Sequence, residues 1–348
     1  MPTLRTEASE LAVGFGILSL DPLTELQPYE IERYFEGSLS SRKYQDFLHE
    51  YPGKNNLHSR MHKVGLELRK AEPLFSSVKS IRWAGPDRQA ATATASSDLL
   101  VANTPVSVKA ISNVVANPSP HNLLINLPSG LAFAKNEENW YLIQDPSGYQ
   151  NLYAFVRNSS MQLSHFPNSI EEFERIASST DRKTFQRIIK DYPEHKRKQF
   201  TRCYLDMCHT VASKSAEVFN TSISKSLQSK SKSTITENLM RWFFRLDSNS
   251  YLLCGIDGSN EFGVRIPSIT QWKSDWTLDS ITASPDLSRR QSVVDFELKF
   301  TNRSNHESSV ARFHTELRWS HGRFCGSPEA KLYKEFYWRD LPIFIPLV

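Results

Sequence analysis

Residues 96–112, SSDLLVANTPVSVKAIS, constrain the fold more than any other part of this chain. Two short apolar runs, Leu99-Leu100-Val101 and Val106-Ser107-Val108, are separated by Ala102-Asn103-Thr104-Pro105. Short β-rich runs split by an Asn-containing turn predict a β-hairpin. Pro105 is tolerated near the head of the second strand, where an amide donor is not required. With Asn103-Thr104 as a two-residue loop, Val101 faces Val106, Leu99 faces Val108 and Asp98 faces Lys109. Side chains alternate across a strand, so Leu99, Val101, Val106 and Val108 form an apolar face to bury. Asp98, Leu100, Ser107 and Lys109 form the other face. Directly opposed residues hold their Cβ atoms ~4.5–5.5 Å apart. A carboxylate and an ammonium then sit side by side at the open end of the hairpin. That pair suits a hard cation on Asp98, with Lys109 beside a water or a phosphate.

Upstream, residues 1–50 are mixed, with weak helical patterns over Glu30–Phe35 and Ser41–His49. Tyr51–Asn56, YPGKNN, is a breaker. It opens a helix over Leu57–Glu72, halted by Pro73, with Leu57, Met61, Val64, Leu68 and Ala71 at helical spacing. Glu67 and Glu72 flank that stripe. Glu67 is favoured for a site because it follows Gly65, where a sheet or ligand can approach closely. Val78–Trp83 reads as a strand closed by Gly85-Pro86.

An Asp on one strand and an x-x-Lys on the next resembles the core of the PD-(D/E)XK nucleases, the restriction-endonuclease-like superfamily. The order helix, strand, strand, strand-with-Lys is also the order of that core. The resemblance covers roughly the first half of the chain. It implies an α/β fold, with a mixed sheet flanked by helices. It also implies that Asp98 binds Mg²⁺ and that Lys109 orients or activates the attacking water. Ser107 stands where the family usually has Glu or Asp, and would hydrogen-bond that water or a phosphate. Some members supply the missing acid from a preceding helix, which points to Glu67, or else Glu72, as the second metal ligand. Asp87 in the literal Pro86-Asp87 is a rival to Asp98 for the metal.

Past Lys109, Ser112, Asn113, Asn117 and Ser119 are placed to touch a phosphate backbone, and Lys196, Arg197 and Lys198 form a basic cluster suited to phosphate. Trp140–Ile143 reads as a strand and Tyr149–Val156 as buried helix or strand. Residues 166–235 read as helical, ending in the polar, low-complexity Ser222–Ser233, expected as a loop. From Leu239 the chain turns β-rich, with strands over Arg241–Leu246, Tyr251–Ile256, Val293–Phe300 and Ala311–Trp319. Pro328–Tyr337 reads as a short helix. The expected organisation is a nuclease core over 1–165, a helical segment over 166–235 and a β-rich part over 236–348 for DNA recognition.

The 348 residues can bury a large core, and 39% hydrophobic with 23% charged residues is ordinary for a globular chain. A net charge of +4 permits a polyanion partner without demanding one. Four Cys without dense spacing suit a reducing cytoplasm. No secretory pattern or membrane-length apolar run is present, and neither a Gly-rich phosphate loop nor a nucleophile elbow occurs. His58 and His62 have Zn²⁺ spacing but no third ligand. Cys203 and Cys208 fit a helix core.

The expectation is a cytoplasmic, Mg²⁺-dependent endodeoxyribonuclease acting on double-stranded DNA. A type II restriction enzyme, homodimeric and paired with a methyltransferase encoded elsewhere, is its most concrete form. The alternative is a non-catalytic nucleic-acid-binding protein with a degenerate nuclease fold, which Ser107 favours. A third reading is an enzyme on another substrate, with Asp98 and Lys109 serving structure only.

Overall fold

The structure is a computed structural model describing residues 4–51, 56–85, 97–110, 113–135, 138–229, 232–319 and 321–348. The chain opens with α1 (Leu4–Leu18), α2 (Pro28–Tyr34), α3 (Ser41–Glu50) and α4 (Leu57–Ala71). Then come β1 (Arg82–Trp83), β2 (Leu99–Val101), β3 (Thr104–Lys109) and β4 (Val114–Ala116). A helical run follows: α5 (Trp140–Gln144), α6 (Pro146–Arg157), α7 (Ile170–Ile176), α8 (Ser179–Lys190), α9 (Glu194–Ser229) and α10 (Lys232–Phe243). Next are β5 (Tyr251–Asp257), β6 (Asn260–Ile266) and α11 (Ile269–Asp275). The chain closes with β7 (Trp276–Pro285), β8 (Ser292–Asn302), β9 (Ser308–Arg318), β10 (Glu329–Lys334) and β11 (Ile345–Pro346).

The architecture is mixed α/β with two sheets. One runs β1-β2-β3-β5-β6-β11, and in it β3 and β5 are the parallel neighbours. The other runs β4-β10-β9-β8-β7 and is antiparallel throughout. Parallel neighbours need a crossover connection. Here that crossover contains the whole helical run α5–α10. The expected boundaries at 165 and 235 therefore fall inside one connection, and the first sheet is completed by strands from beyond residue 250.

The hairpin forms with the expected faces and a different register. Leu99 pairs with Val106, Leu100 with Pro105 and Val101 with Thr104. The loop is Ala102-Asn103, with φ of 45° and 65°. Two left-handed residues match the twist of a tight hairpin. The register differs from expectation by two residues, and an even shift leaves each side chain on its own face. Leu99, Val101, Val106 and Val108 are accordingly all buried.

Strand β5 is buried along its whole length and divides its side chains between two cores. Leu252, Cys254 and Ile256 join α1–α4 and the hairpin. Tyr251 and Leu253 join the helical run and the second sheet. Over the first sheet, α4 lies along β6, with Arg60 on Glu261 at 2.7 Å and Glu72 on Arg265. Beside α4 runs α1, buried from Glu7 to Leu18. Gly16 and Gly65 mark their crossing. A Cβ on Gly65 would lie 2.2 Å from Val13 O, and one on Gly16 would lie 2.1 Å from His62 O. Gly65 thus admits a helix, not a sheet or a ligand.

Several local expectations are corrected. Residues 140–143 are the helix α5, because Asn139 caps it by accepting from Tyr141 N at 3.0 Å. Residues 241–243 close α10 instead of starting a strand. Residues 329–334 form β10, held between β9 and β4. The low-complexity serine-lysine stretch continues α9 as far as Ser229, because Ile223 and Ser226 turn inward while Lys225 stays exposed.

Candidate functional site

Asp98 immediately precedes β2, and Lys109 ends β3. The two strands are antiparallel, so both residues lie at one end of the first sheet. Asp98 N donates to Val106 O at 2.8 Å, and its Oδ2 accepts from Val108 N at 2.5 Å. Strand β2 is shorter than β3 and leaves that amide without a strand partner on its side. The aspartate carboxylate supplies the acceptor instead. Asp98 is 3% exposed and Ser107 only 1%. Burial first, and then the Asp98 charge, push the neighbouring Cys254 thiol up.

Lys109 pairs with Gly255 of β5 and is half-buried. Gly255 has φ of 147°, and a Cβ there would lie 1.8 Å from Lys109 O. Only glycine lets β3 and β5 close at this point. By alternation Ser107 and Lys109 share the face opposite Val106 and Val108. Asp98 reaches the β3 backbone at Val108 and does not oppose Lys109 directly.

The upstream glutamates divide sharply. Glu67 is half-exposed on α4 and pairs with Lys70 at 2.8 Å. Glu72 is buried against Arg265 of β6. Strand β6 stands three inter-strand spacings from β2, roughly 14 Å. Glu72 is thereby committed to β6 and Glu67 to Lys70. Helix α1 carries a different carboxylate. Glu10 is 1% exposed and accepts from Trp83 Nε1 at 3.0 Å. Trp83 ends β1 and pairs with Leu99, and the next residue, Ala84, donates to Asp98 O at 3.0 Å. Glu10 thus reaches the Asp98 end of the sheet from the α1 side. The sequence signal was available, since an acid inside the apolar run LAVGFGIL's helix is unusual, but α1 itself was not anticipated.

Asp257, at the same end of β5, is already neutralised. It accepts from Lys334 Nζ at 2.7 and 2.8 Å and from Trp338 N at 3.1 Å. Burial holds the Lys334 ammonium below its ordinary range, although Asp257 opposes that shift. This pair ties the two sheets together and leaves little capacity for a metal. Among the described residues, no group of three or more His, Cys, Asp or Glu is arranged to hold a metal ion. Mg²⁺ is commonly held by only one or two carboxylates with waters and substrate phosphates. Asp98 supplies one such carboxylate, and Glu10, at the neighbouring end of β1, is engaged by Trp83.

The expected DNA contacts separate into two places. Asn113 O accepts from Lys334 N at 3.1 Å, Asn117 Nδ2 donates to Glu329 at 3.0 Å, and Ser119 Oγ accepts from Asn122 N at 3.3 Å. These residues border the β4 edge of the second sheet. Lys196, Arg197 and Lys198 lie in the first two turns of α9. Lys196 donates to Ser159 O at 3.3 Å, Arg197 to Tyr192 O at 3.1 Å, and Lys198 pairs with Glu194 at 2.7 Å. Asp87 and Ser112 lie outside the described residues. His58 is buried with its Nδ1 beside Tyr51 O, and His62 Nε2 meets Leu20 O at 2.9 Å, so one ring nitrogen of each faces a backbone carbonyl.

No family model, curated protein or solved structure matches this chain. All four cysteines are free. Among the described residues, no helix is long and apolar enough to cross a membrane.

Proposed function

We propose that this chain is a cytoplasmic Mg²⁺-dependent endodeoxyribonuclease of the restriction-endonuclease-like class, acting on double-stranded DNA. Its most concrete form is a homodimeric, sequence-specific type II restriction enzyme with a separately encoded methyltransferase. The observation that carries the reading is one sheet end. There the α4-β1-β2-β3 unit brings Asp98, just ahead of β2, to the same end as Lys109 of β3, and Glu10 of α1 reaches the neighbouring end of β1 through Trp83. Asp98 is the metal aspartate, and Glu10 takes the role first sought on α4. Lys109 orients the water or stabilises charge on the phosphate. When bound, Mg²⁺ supplies charge neutralisation and a water of lowered pKa. Ser107 would hydrogen-bond that water or a phosphate.

A second reading is favoured by a specific observation. The Asp98 carboxylate accepts from the Val108 amide, and Ser107 replaces the family's usual acid. Both features suit a non-catalytic nucleic-acid-binding protein built on the same core. The experiment that separates the two compares binding in Ca²⁺ with cleavage in Mg²⁺ or Mn²⁺, using several unmethylated DNAs. Discrete fragments support the nuclease. Tight, salt-dependent binding with no cleavage under any condition supports the binder.

A further inference from the structure

A cavity of about 760 Å³ opens between the end of α8, the start of α9 and the turn at residues 321–323. Lys190, Arg197, His321 and Arg323 line it, together with Phe200 and Ile189. No carboxylate lines it among the described residues. Three fixed cations around one recess repel one another unless an anion joins them. None of the three has a carboxylate partner among the described residues. Arg197 donates only to backbone carbonyls, those of Tyr192 at 3.1 Å and Lys190 at 3.5 Å. Arg323 lies over the rings of Phe200 at 5.0 Å and Tyr204 at 4.5 Å. Its buried Nε meets no hydrogen-bond acceptor among the described residues.

The recess is also built rigidly. Gln186 of α8 donates to His321 O. A Cβ on Gly322, whose φ is 98°, would lie 2.0 Å from Gln186 Nε2. The turn is thereby held against α8, and Arg323 is held with it. Guanidinium groups are matched in geometry to phosphate oxygens, and pockets of this volume take drug-sized ligands.

We infer that this cavity binds a nucleotide-sized ligand through its phosphates, with a diphosphate among Lys190, Arg197 and Arg323 and the remainder against Phe200 and Ile189. The site belongs to the core opposite the Asp98 end and does not depend on the nuclease reading. The same chemistry is presented by a free nucleotide and by the phosphorylated end of a nucleic-acid strand.

The test is calorimetric titration of the full chain with pyrophosphate, with ADP, and with one oligonucleotide bearing or lacking a 5′-phosphate. Binding of pyrophosphate or ADP, weakened at least about tenfold in Lys190→Ala and Arg323→Met, supports the proposal and identifies a free nucleotide as the source. Binding confined to the 5′-phosphorylated oligonucleotide, with the same losses, supports it with a strand end as the source. Lys190 is exposed, so its variant keeps the test intact if Arg323→Met misfolds. Absence of binding by all probes overturns the proposal, as does binding that Lys190→Ala leaves unchanged.

Discussion

The α1–α4 crossing gives the sharpest stability prediction. Gly65→Ala places a methyl 2.2 Å from Val13 O and 2.9 Å from Gly16 Cα. Both obstacles are backbone, so no rotamer change relieves them. The helices must part by about 1 Å, and a gap of that size forfeits a quarter to a half of each van der Waals contact along the seam. Overpacking typically costs ~1–3 kcal/mol, and a backbone obstacle belongs at the upper end. Alanine returns ~1 kcal/mol through helix propensity. The net loss is about 2 kcal/mol, read as a lower midpoint in urea with an unchanged slope. Gly14→Ala is the control. On the same α1 helix, the nearest atoms to its new methyl are side-chain ones, the Ile81 and Leu99 tips at 2.7 and 3.6 Å and a Phe35 ring edge. It should cost clearly less. Equal midpoints for the two variants, or a Gly65→Ala protein as stable as the parent, would refute the crossing.

Three further outcomes follow from single contacts. Asp98→Ala leaves the Val108 amide without its acceptor and should cost about 1–3 kcal/mol, whereas Asp98→Asn keeps an acceptor oxygen and should retain most stability; chemical denaturation compares them. Ala102 sits in an exposed turn at φ of 45°, so Ala102→Gly should stabilise by about 1 kcal/mol, and a loss of stability would contradict the loop geometry. Glu237 is held below its ordinary value of 4.5 by hydrogen bonds from Lys273 and then Arg241. A lowered carboxylate pKa contributes stability that is present above the unfolded value and lost as pH falls through the folded one. Melting curves should therefore lose less between pH 5 and pH 3 in Glu237→Gln than in the parent.

How much of this was legible in the sequence depended on whether period or context decided each element. The hairpin faces were readable because alternation is local. Its register was not, because nothing in Ala102-Asn103-Thr104 announces that an alanine takes a left-handed conformation. Helix α4 was readable from one apolar stripe. Helix α1 was missed because it is buried all round, and a helix without a polar face has no amphipathic pattern to detect. By composition Ser222–Ser233 reads as a loop, whereas Ile223 and Ser226 anchor its first part to the core as helix. For the candidate site, spacing put Asp98 opposite Lys109, and the two-residue register shift removes that direct pairing while leaving both at one end of the sheet. Glu10 required the tertiary structure, since its partner Trp83 lies 73 residues along the chain.

The most direct test of the central claim is the rate of Mg²⁺-dependent cleavage of one unmethylated phage DNA by the parent and by Lys109→Ala, each first shown to be folded by circular dichroism. The nuclease reading predicts discrete fragments from the parent. It also predicts a loss of roughly 10²–10⁴-fold in the variant, the scale of one acid–base or electrostatic contribution. Equal cleavage by both proteins, or none by the parent in either Mg²⁺ or Mn²⁺, would contradict it.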